Sequence, residues 1–261
     1  MNTNDFLKIA DEASLTERNI NIHSFEVVDS TNSEAKRAVM SGKAKAPALF
    51  VANTQTSGRG RMGRSFFSPA NTGIYMTLAL DVTEDTAADT IKLTAATAVA
   101  VSRAIKQVTN ITVGIKWVND LYFMGKKVCG ILAESFSADD KRYALVGVGI
   151  NLSTQDFPNE ICGIAGNLVG EAGELRRELA IAVCREIYDI YRQKDRGFTD
   201  EYRSLSVVLG KRVEFFADGE KRTGYAAHID DGGALWISTD SGESIRLCSG
   251  EISLKLSEVD K

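Results

Sequence analysis

Only two histidines and four cysteines occur among 261 residues. His23 and His228 sit far apart in unrelated contexts, so no histidine spacing supports a metal centre. Cys129, Cys162, Cys184 and Cys248 form no C-x-x-C pair, which fits buried thiols in a reducing, cytoplasmic compartment better than disulfides or zinc. No run approaches the ~20 apolar residues that a bilayer span needs. The start, MNTNDFLKIADEAS, carries acids and no unbroken apolar stretch, so a secretory signal is not expected. The sequence has no G-x-S-x-G elbow for a serine hydrolase and no Walker phosphate loop. It also lacks an excess of positive charge: 31 Lys and Arg against 35 Asp and Glu give a net −4. That argues against a general nucleic-acid or membrane-surface binder.

What remains is globular. Hydrophobic residues make up 44% and charged residues 25% of the chain. The length allows one large domain, or one domain and a small one. Patterning predicts a short helix at 5–13, a strand at 26–29, and a helix ending at Gly42, a natural C′ residue. A buried strand follows at 48–54, then a long loop over 55–73. Period-two alternation predicts strands at 74–80 and 111–117. Helical spacing predicts a helix from Ile91 to Val108, with Thr86 as a cap, and another from Leu175 to Ile190. Strands at 127–135 and 143–151 are close enough to pair antiparallel. After about Ser206, short β runs separated by Asp-Gly turns signal a small β-barrel. The expected division is therefore 1–206 and 207–261.

Four segments carry chemical potential. Gly58-Arg59-Gly60-Arg61-Met62-Gly63-Arg64 packs three glycines and three arginines into seven positions. Glycine lets backbone N–H groups approach a ligand, and arginine presents a fixed fork of donors to phosphate or carboxylate. A small-anion loop is favoured over a solvated loop or an RNA-binding Arg-Gly tract, because the segment sits inside a folded pattern. Lys116, in Ile115-Lys116-Trp117-Val118-Asn119-Asp120, ends a strand; it is either a cation aimed at substrate or a surface lysine before an Asn-Asp turn. Asp29-Ser30-Thr31-Asn32 offers hydroxyls and an amide at a helix start, to which Gln55 can add. The same place also reads as a Thr31–Glu34 capping box. Gly147 and Gly149, in Val146 to Asn151, permit close approach of a ligand or another backbone.

In this order, D-S-T-N (29–32), Q-x-x-G-R-G-R-x-G-R (55–64), F-S-P (67–69), K-W-x-N-D-L (116–121), G-I-L-x-E (130–134), G-x-G-I-N (147–151) and S-G-E-I-S-L (249–254) resemble the biotin–protein ligases. The resemblance runs from about residue 25 to the end. It implies an α+β fold: a mixed, largely antiparallel sheet flanked by helices, class II synthetase-like, with a C-terminal SH3-like barrel. It implies a two-step ligation with Mg²⁺ and ATP, in which biotin becomes biotinyl-adenylate and is then passed to a lysine of a carboxylase's biotin carboxyl carrier domain. By resemblance, Ser30, Thr31, Asn32, Gln55, Gly58, Arg59, Gly60, Arg61, Lys116 and Gly130 bind biotin. Arg61, Arg64, Lys116, Asn119 and Asn151 meet ATP, and Lys116 with Arg61 is catalytic. Adenylation brings two anions together, so positioned cations suffice without an enzyme nucleophile.

Two departures stand out: Val118 where proline is usual, and Phe66 where some members have tryptophan. Bifunctional members carry an N-terminal helix-turn-helix domain, for which there is no room before Asp29, so no operator binding is expected. Members include monomers and homodimers. The alternatives are a lipoate or octanoate ligase, or a non-catalytic biotin sensor. Three glycines and mutually repelling arginines are expected to leave residues 58–68 mobile until an anion binds.

Overall fold

The computed structural model describes residues 13–82, 90–193, 197–217, 219–250 and 252–254. Its main sheet has seven strands in the order β1-β2-β3-β7-β6-β5-β4. These are β1 (Asn21–Val28), β2 (Ala48–Gln55), β3 (Gly73–Val82), β4 (Gly114–Lys116), β5 (Asp120–Phe123), β6 (Lys126–Ala138) and β7 (Lys141–Asn151). After the short helix α1 (Ala13–Thr16), β1 and β2 are parallel because helix α2 (Thr31–Met40) carries the chain back between them. All other neighbours are antiparallel, including the expected β6–β7 pair.

Helices α3 (Thr90–Thr109) and α4 (Leu175–Gln193) pack together over one face of the sheet, with β3 and β6 among the strands they meet. Ile74, Met76, Leu78 and Leu80 of β3 join that core. Burying each of these side chains contributes about 1.5–3 kcal/mol. α2 covers part of the other face, packing Ala35, Ala38 and Val39 near Phe50, Ala79 and Leu145. β3 is therefore buried on both faces, which is why it is apolar almost throughout.

A five-stranded antiparallel sheet follows: β8 (Arg212–Ala217), β9 (Glu220–Ile229), β10 (Leu235–Thr239), β11 (Ser244–Leu247) and β12 (Ile252–Leu254), in the order β11-β10-β9-β8-β12. Helix α5 (Phe198–Ser204) and the residues after it tie this sheet to β4. Ile115 N donates to Leu205 O at 2.7 Å and Val207 N to Ile115 O at 2.9 Å, covering the free edge of β4. Tyr202 OH donates to Val118 O at 2.9 Å, and Trp117 Nε1 to Gly233 O at 2.9 Å.

Several expectations change. The first strand runs from Asn21, well before residue 26, because the pairings Asn21 with Ala48 through Phe25 with Ala52 extend it along β2. The 111–117 strand shrinks to Gly114–Lys116, where β5 supplies partners. β5, α5 and β12 were not foreseen from patterning; each is seven residues or fewer, too short for a periodic signal. Thr86 and most of the 5–13 helix lie outside the described residues. Cys162 and Cys248 are exposed rather than buried, since both sit beyond the packed core, whereas Cys129 and Cys184 are buried. Gly42 does end its helix, at φ +70°. Among the described residues no helix is long and apolar enough to cross a membrane.

Candidate functional site

The site begins as a gap on the α2 face of the sheet. Strand alternation puts Thr77, Gly147 and Leu132 side by side across β3, β7 and β6, and Tyr75, Gly149 and Gly130 in the next row. Three of these six positions have no side chain. A Cβ on Gly147 would stand 2.2 Å from Asn32 Oδ1, and one on Gly149 would stand 2.6 Å from the Phe66 ring. Glycine is required there because α2 and the 56–72 loop press side chains onto the strand. A Cβ on Gly130 would meet Phe66 and Lys127 at 3.3 Å.

Two adjoining cavities open from this gap. The first, about 100 Å³, is lined by Ser30, Thr31, Asn32, Gln55, Arg59, Gly60, Arg61 and Gly130, among others. The second, about 340 Å³, is lined by Lys116, Trp117, Tyr122, Asn151 and Phe157, with Ile252 and Ser253 from β12 and Gly250 just before it. Arg64, Ser65, Phe66, Asn119, Asp120 and Lys127 line both.

The polar end of the first cavity is a hydrogen-bonded chain. Gln55 Oε1 accepts from Thr31 N at 2.8 Å and from Thr31 Oγ1 at 3.2 Å, while Gln55 Nε2 donates to Ser68 Oγ at 2.9 Å. Ser68 Oγ in turn donates to Phe66 O at 2.9 Å. Ser30, Thr31, Asn32 and Ser68 are all buried. The capping-box expectation fails here. Ser30, not Thr31, is the N-cap, and it makes no side-chain cap bond. The Thr31 hydroxyl is drawn to Gln55, and Glu34 to Arg37, because both find stronger partners than the helix end. Arg37 also grips both oxygens of Asp29 at 2.8 Å, holding that carboxyl down at about 2.

The glycine–arginine loop forms the rim. Arg59 pairs with both oxygens of Glu134 at 2.8 and 3.0 Å, and Arg61 Nη1 donates to Asn119 Oδ1 at 3.0 Å. Gly60 N donates to Arg64 O at 2.7 Å, closing a tight turn with Met62 at φ +54°. Glu134 gives this loop an opposite charge, and Gly60 with Arg64 gives it a paired backbone. Gly58 lines neither cavity; it packs beneath the loop, where a Cβ would lie 2.4 Å from Phe66 O.

The two lysines separate in space. Lys116 lines the second cavity only, its ammonium 5.6 Å from the Tyr122 ring centroid. Lys127 lies on the shared wall, 2.7 Å from Asp120 Oδ1 in an ion pair whose angle falls outside hydrogen-bond geometry. Patterning passed over Lys127 because it sits in an ordinary Lys-Lys pair at the start of β6. The signal was Gly130, three residues on, which leaves room for its stem. The Trp117–Val118 peptide is cis, although residue 118 is not proline. In the second cavity, Asn151 is buried and its Oδ1 has no hydrogen-bond partner among the described residues.

Residues 24–151 match the biotin/lipoate A/B protein ligase family. Over 242 residues the chain is 33% identical to the bifunctional ligase/repressor BirA of Bacillus subtilis, covering 88% of this chain and 72% of that protein. It is 32% identical to a biotin–[acetyl-CoA-carboxylase] ligase of Paracoccus denitrificans, covering 83% of this chain and 94% of the other. The solved biotin protein ligase from Aquifex aeolicus, in complex with biotin and ATP, superposes with a TM-score of 0.72 at 28% identity, covering 91% of this chain and 99% of that one. The chain therefore belongs to the biotin/lipoate A/B protein ligase family, among its biotin–protein ligases.

Proposed function

We propose that this protein joins biotin to ATP and passes the biotinyl group to a carrier lysine. The biotin carboxylate oxygen attacks the α-phosphorus, the bond to the β-phosphate breaks, and pyrophosphate leaves. The amine of a lysine on a biotin carboxyl carrier domain then attacks the acyl carbon. An amide forms, the amine gives up a proton, and AMP leaves. The observation that carries this reading is the shared wall: one cavity for each reactant, and between them Lys127 and Arg64.

Ser30, Thr31, Asn32 and Gln55 supply the polar end suited to a ureido ring. Phe66, seated directly on Gly130 and Gly149, gives an apolar wall for the bicyclic body. Arg59, Gly60 and Arg61 close over it. We assign the bridging charge between carboxylate and α-phosphate to Lys127, because only a group lining both cavities can touch both reactants. Lys116, with Arg64, belongs to the triphosphate side, and Arg61 is held ready through Asn119. Positioned cations of this kind offset the repulsion between two anions, and losing one costs about 10²–10³ in rate.

Magnesium brought with ATP would neutralise the triphosphate. The unsatisfied Asn151 Oδ1 and the Asp120 carboxylate are oxygen donors of the right type to hold it. We further read 1–206 as the catalytic domain, class II synthetase-like in fold. We read 207–261 as a separate SH3-like barrel, supported by five antiparallel strands joined by short turns. The expected setting is cytoplasmic, as a monomer or homodimer.

The test is biotin-dependent exchange of pyrophosphate into ATP with Mg²⁺, run beside lipoate. Exchange with biotin and not lipoate is expected. Folded protein that shows neither exchange nor labelling of a carrier-domain lysine refutes the reading.

A further inference from the structure

We infer that Glu134 is a positioning residue for biotin capture: its one carboxylate latches the glycine–arginine loop to the floor of the first cavity and fixes which way the Asn32 amide faces. This rests on the biotin reading of that cavity. Glu134 lies on β6 two rows from Gly130, on the same face of the sheet. Its Oε1 accepts from Arg59 Nη2 at 2.8 Å, and its Oε2 from Arg59 Nη1 at 3.0 Å and from Asn32 Nδ2 at 2.9 Å. Lid and floor therefore meet on one side chain.

The amide cannot be reversed without penalty. Asn32 is wedged against Gly147, with Nδ2 also facing Leu132 O at 3.3 Å and Oδ1 facing Thr77 Oγ1 at 2.6 Å. A turned amide would set its oxygen against the carboxylate and a backbone carbonyl. Thr77 spends its single hydroxyl proton on Asn32 Oδ1, so the polarity imposed at Glu134 reaches Thr77 through Asn32.

The ion pair is partly solvated, at 43% and 32% exposure, so its effect is modest and screened by salt. That suits a latch, which must also open.

The experiment compares wild type with Glu134→Gln, similar in shape but without charge. Biotin dissociation should quicken about tenfold and association change less than about twofold, as interface changes act chiefly on the off-rate. The KM for biotin should rise, with kcat at saturating biotin unchanged; a merely structural loss would move kcat and the melting temperature as well. Salt should speed dissociation from wild type but not from the variant. Arg59→Gln removes the same pair from the exposed side and guards against misfolding at 134. The double variant should lose less than the sum of the two single effects, because both singles break the same pair. Trypsin should cut the 58–68 loop faster in ligand-free Glu134→Gln than in wild type. A folded Glu134→Gln with wild-type off-rate, salt dependence and proteolysis overturns the latch, as do additive single effects. Wild type that binds no biotin overturns the functional reading instead, leaving proteolysis to judge the latch.

Discussion

Replacing Gly147 by alanine isolates one contact. Alanine in a strand ordinarily gains about 0.4–1 kcal/mol over glycine by restricting the unfolded chain. At this position the new methyl carbon would lie 2.2 Å from Asn32 Oδ1 and 2.9 Å from its Cγ. Asn32 is 4% exposed and bonded to Thr77 and Glu134, so it cannot swing away. Overpacking of this kind costs about 1–3 kcal/mol. The net loss is thus about 1–2 kcal/mol, a fall in Tm of about 2–8 °C for a domain of this size. Displacing Asn32 should also weaken biotin binding at least about tenfold, since one buried polar partner is lost. Gly163→Ala is the control: nothing lies within 4 Å of its Cβ and its φ is ordinary, so the change should be neutral or slightly stabilising. Thermal unfolding and titration calorimetry read both effects. If Gly147→Ala melts and binds like wild type, the sheet face does not hold Asn32 as described.

The lysines separate by kinetics: Lys127→Gln should lower kcat for adenylation about 10²–10³-fold, whereas Lys116→Gln should mainly raise the KM for ATP. Equal kcat losses would remove the distinction between shared wall and second cavity. Arg176 is buried, donates to Gly73 O at 2.6 Å, Asn53 Oδ1 at 2.7 Å and Asn53 O at 3.2 Å, and is pushed down to about 10 by burial. Arg176→Met should cost about 2–4 kcal/mol in urea unfolding by stranding those acceptors; a change under about 0.5 kcal/mol would show that they find other partners. His23 stacks on Phe50 at 4.7 Å, and burial lowers its pKa against a weaker opposing pull from Glu34. Protonation then favours the unfolded chain, so stability should decline as pH falls below about 6.5, and His23→Phe should flatten that decline. An unchanged profile would place the dependence elsewhere.

Much of this was legible in advance, and for stated reasons. β3, β6 and β7 announce themselves through long apolar alternation, and α3 and α4 through helical spacing. The Gly-Arg loop, Ser30-Thr31-Asn32, Gln55 and Lys116 were visible because unusual residues cluster there. Lys127 was not, because its one local sign, Gly130 three residues on, does not say what the lysine faces; only the pairing of β5 with β6 brings it between the cavities. Glu134 was quoted as part of a motif without a task, since its partners Arg59 and Asn32 are 75 and 102 residues away in sequence. The capping box misled because a local motif was outbid by Gln55, 24 residues on.

The strand order has a consequence for synthesis. β7 lies between β3 and β6, yet it is made after both. While a ribosome is extending the chain, those two strands emerge with an empty lane between them, and Gly147 and Gly149 have not yet arrived. Vitamin affinity should therefore be absent from every nascent chain that stops short of β7, and should appear only after Asn151 has cleared the exit tunnel. Stalled nascent chains of graded length would time that appearance.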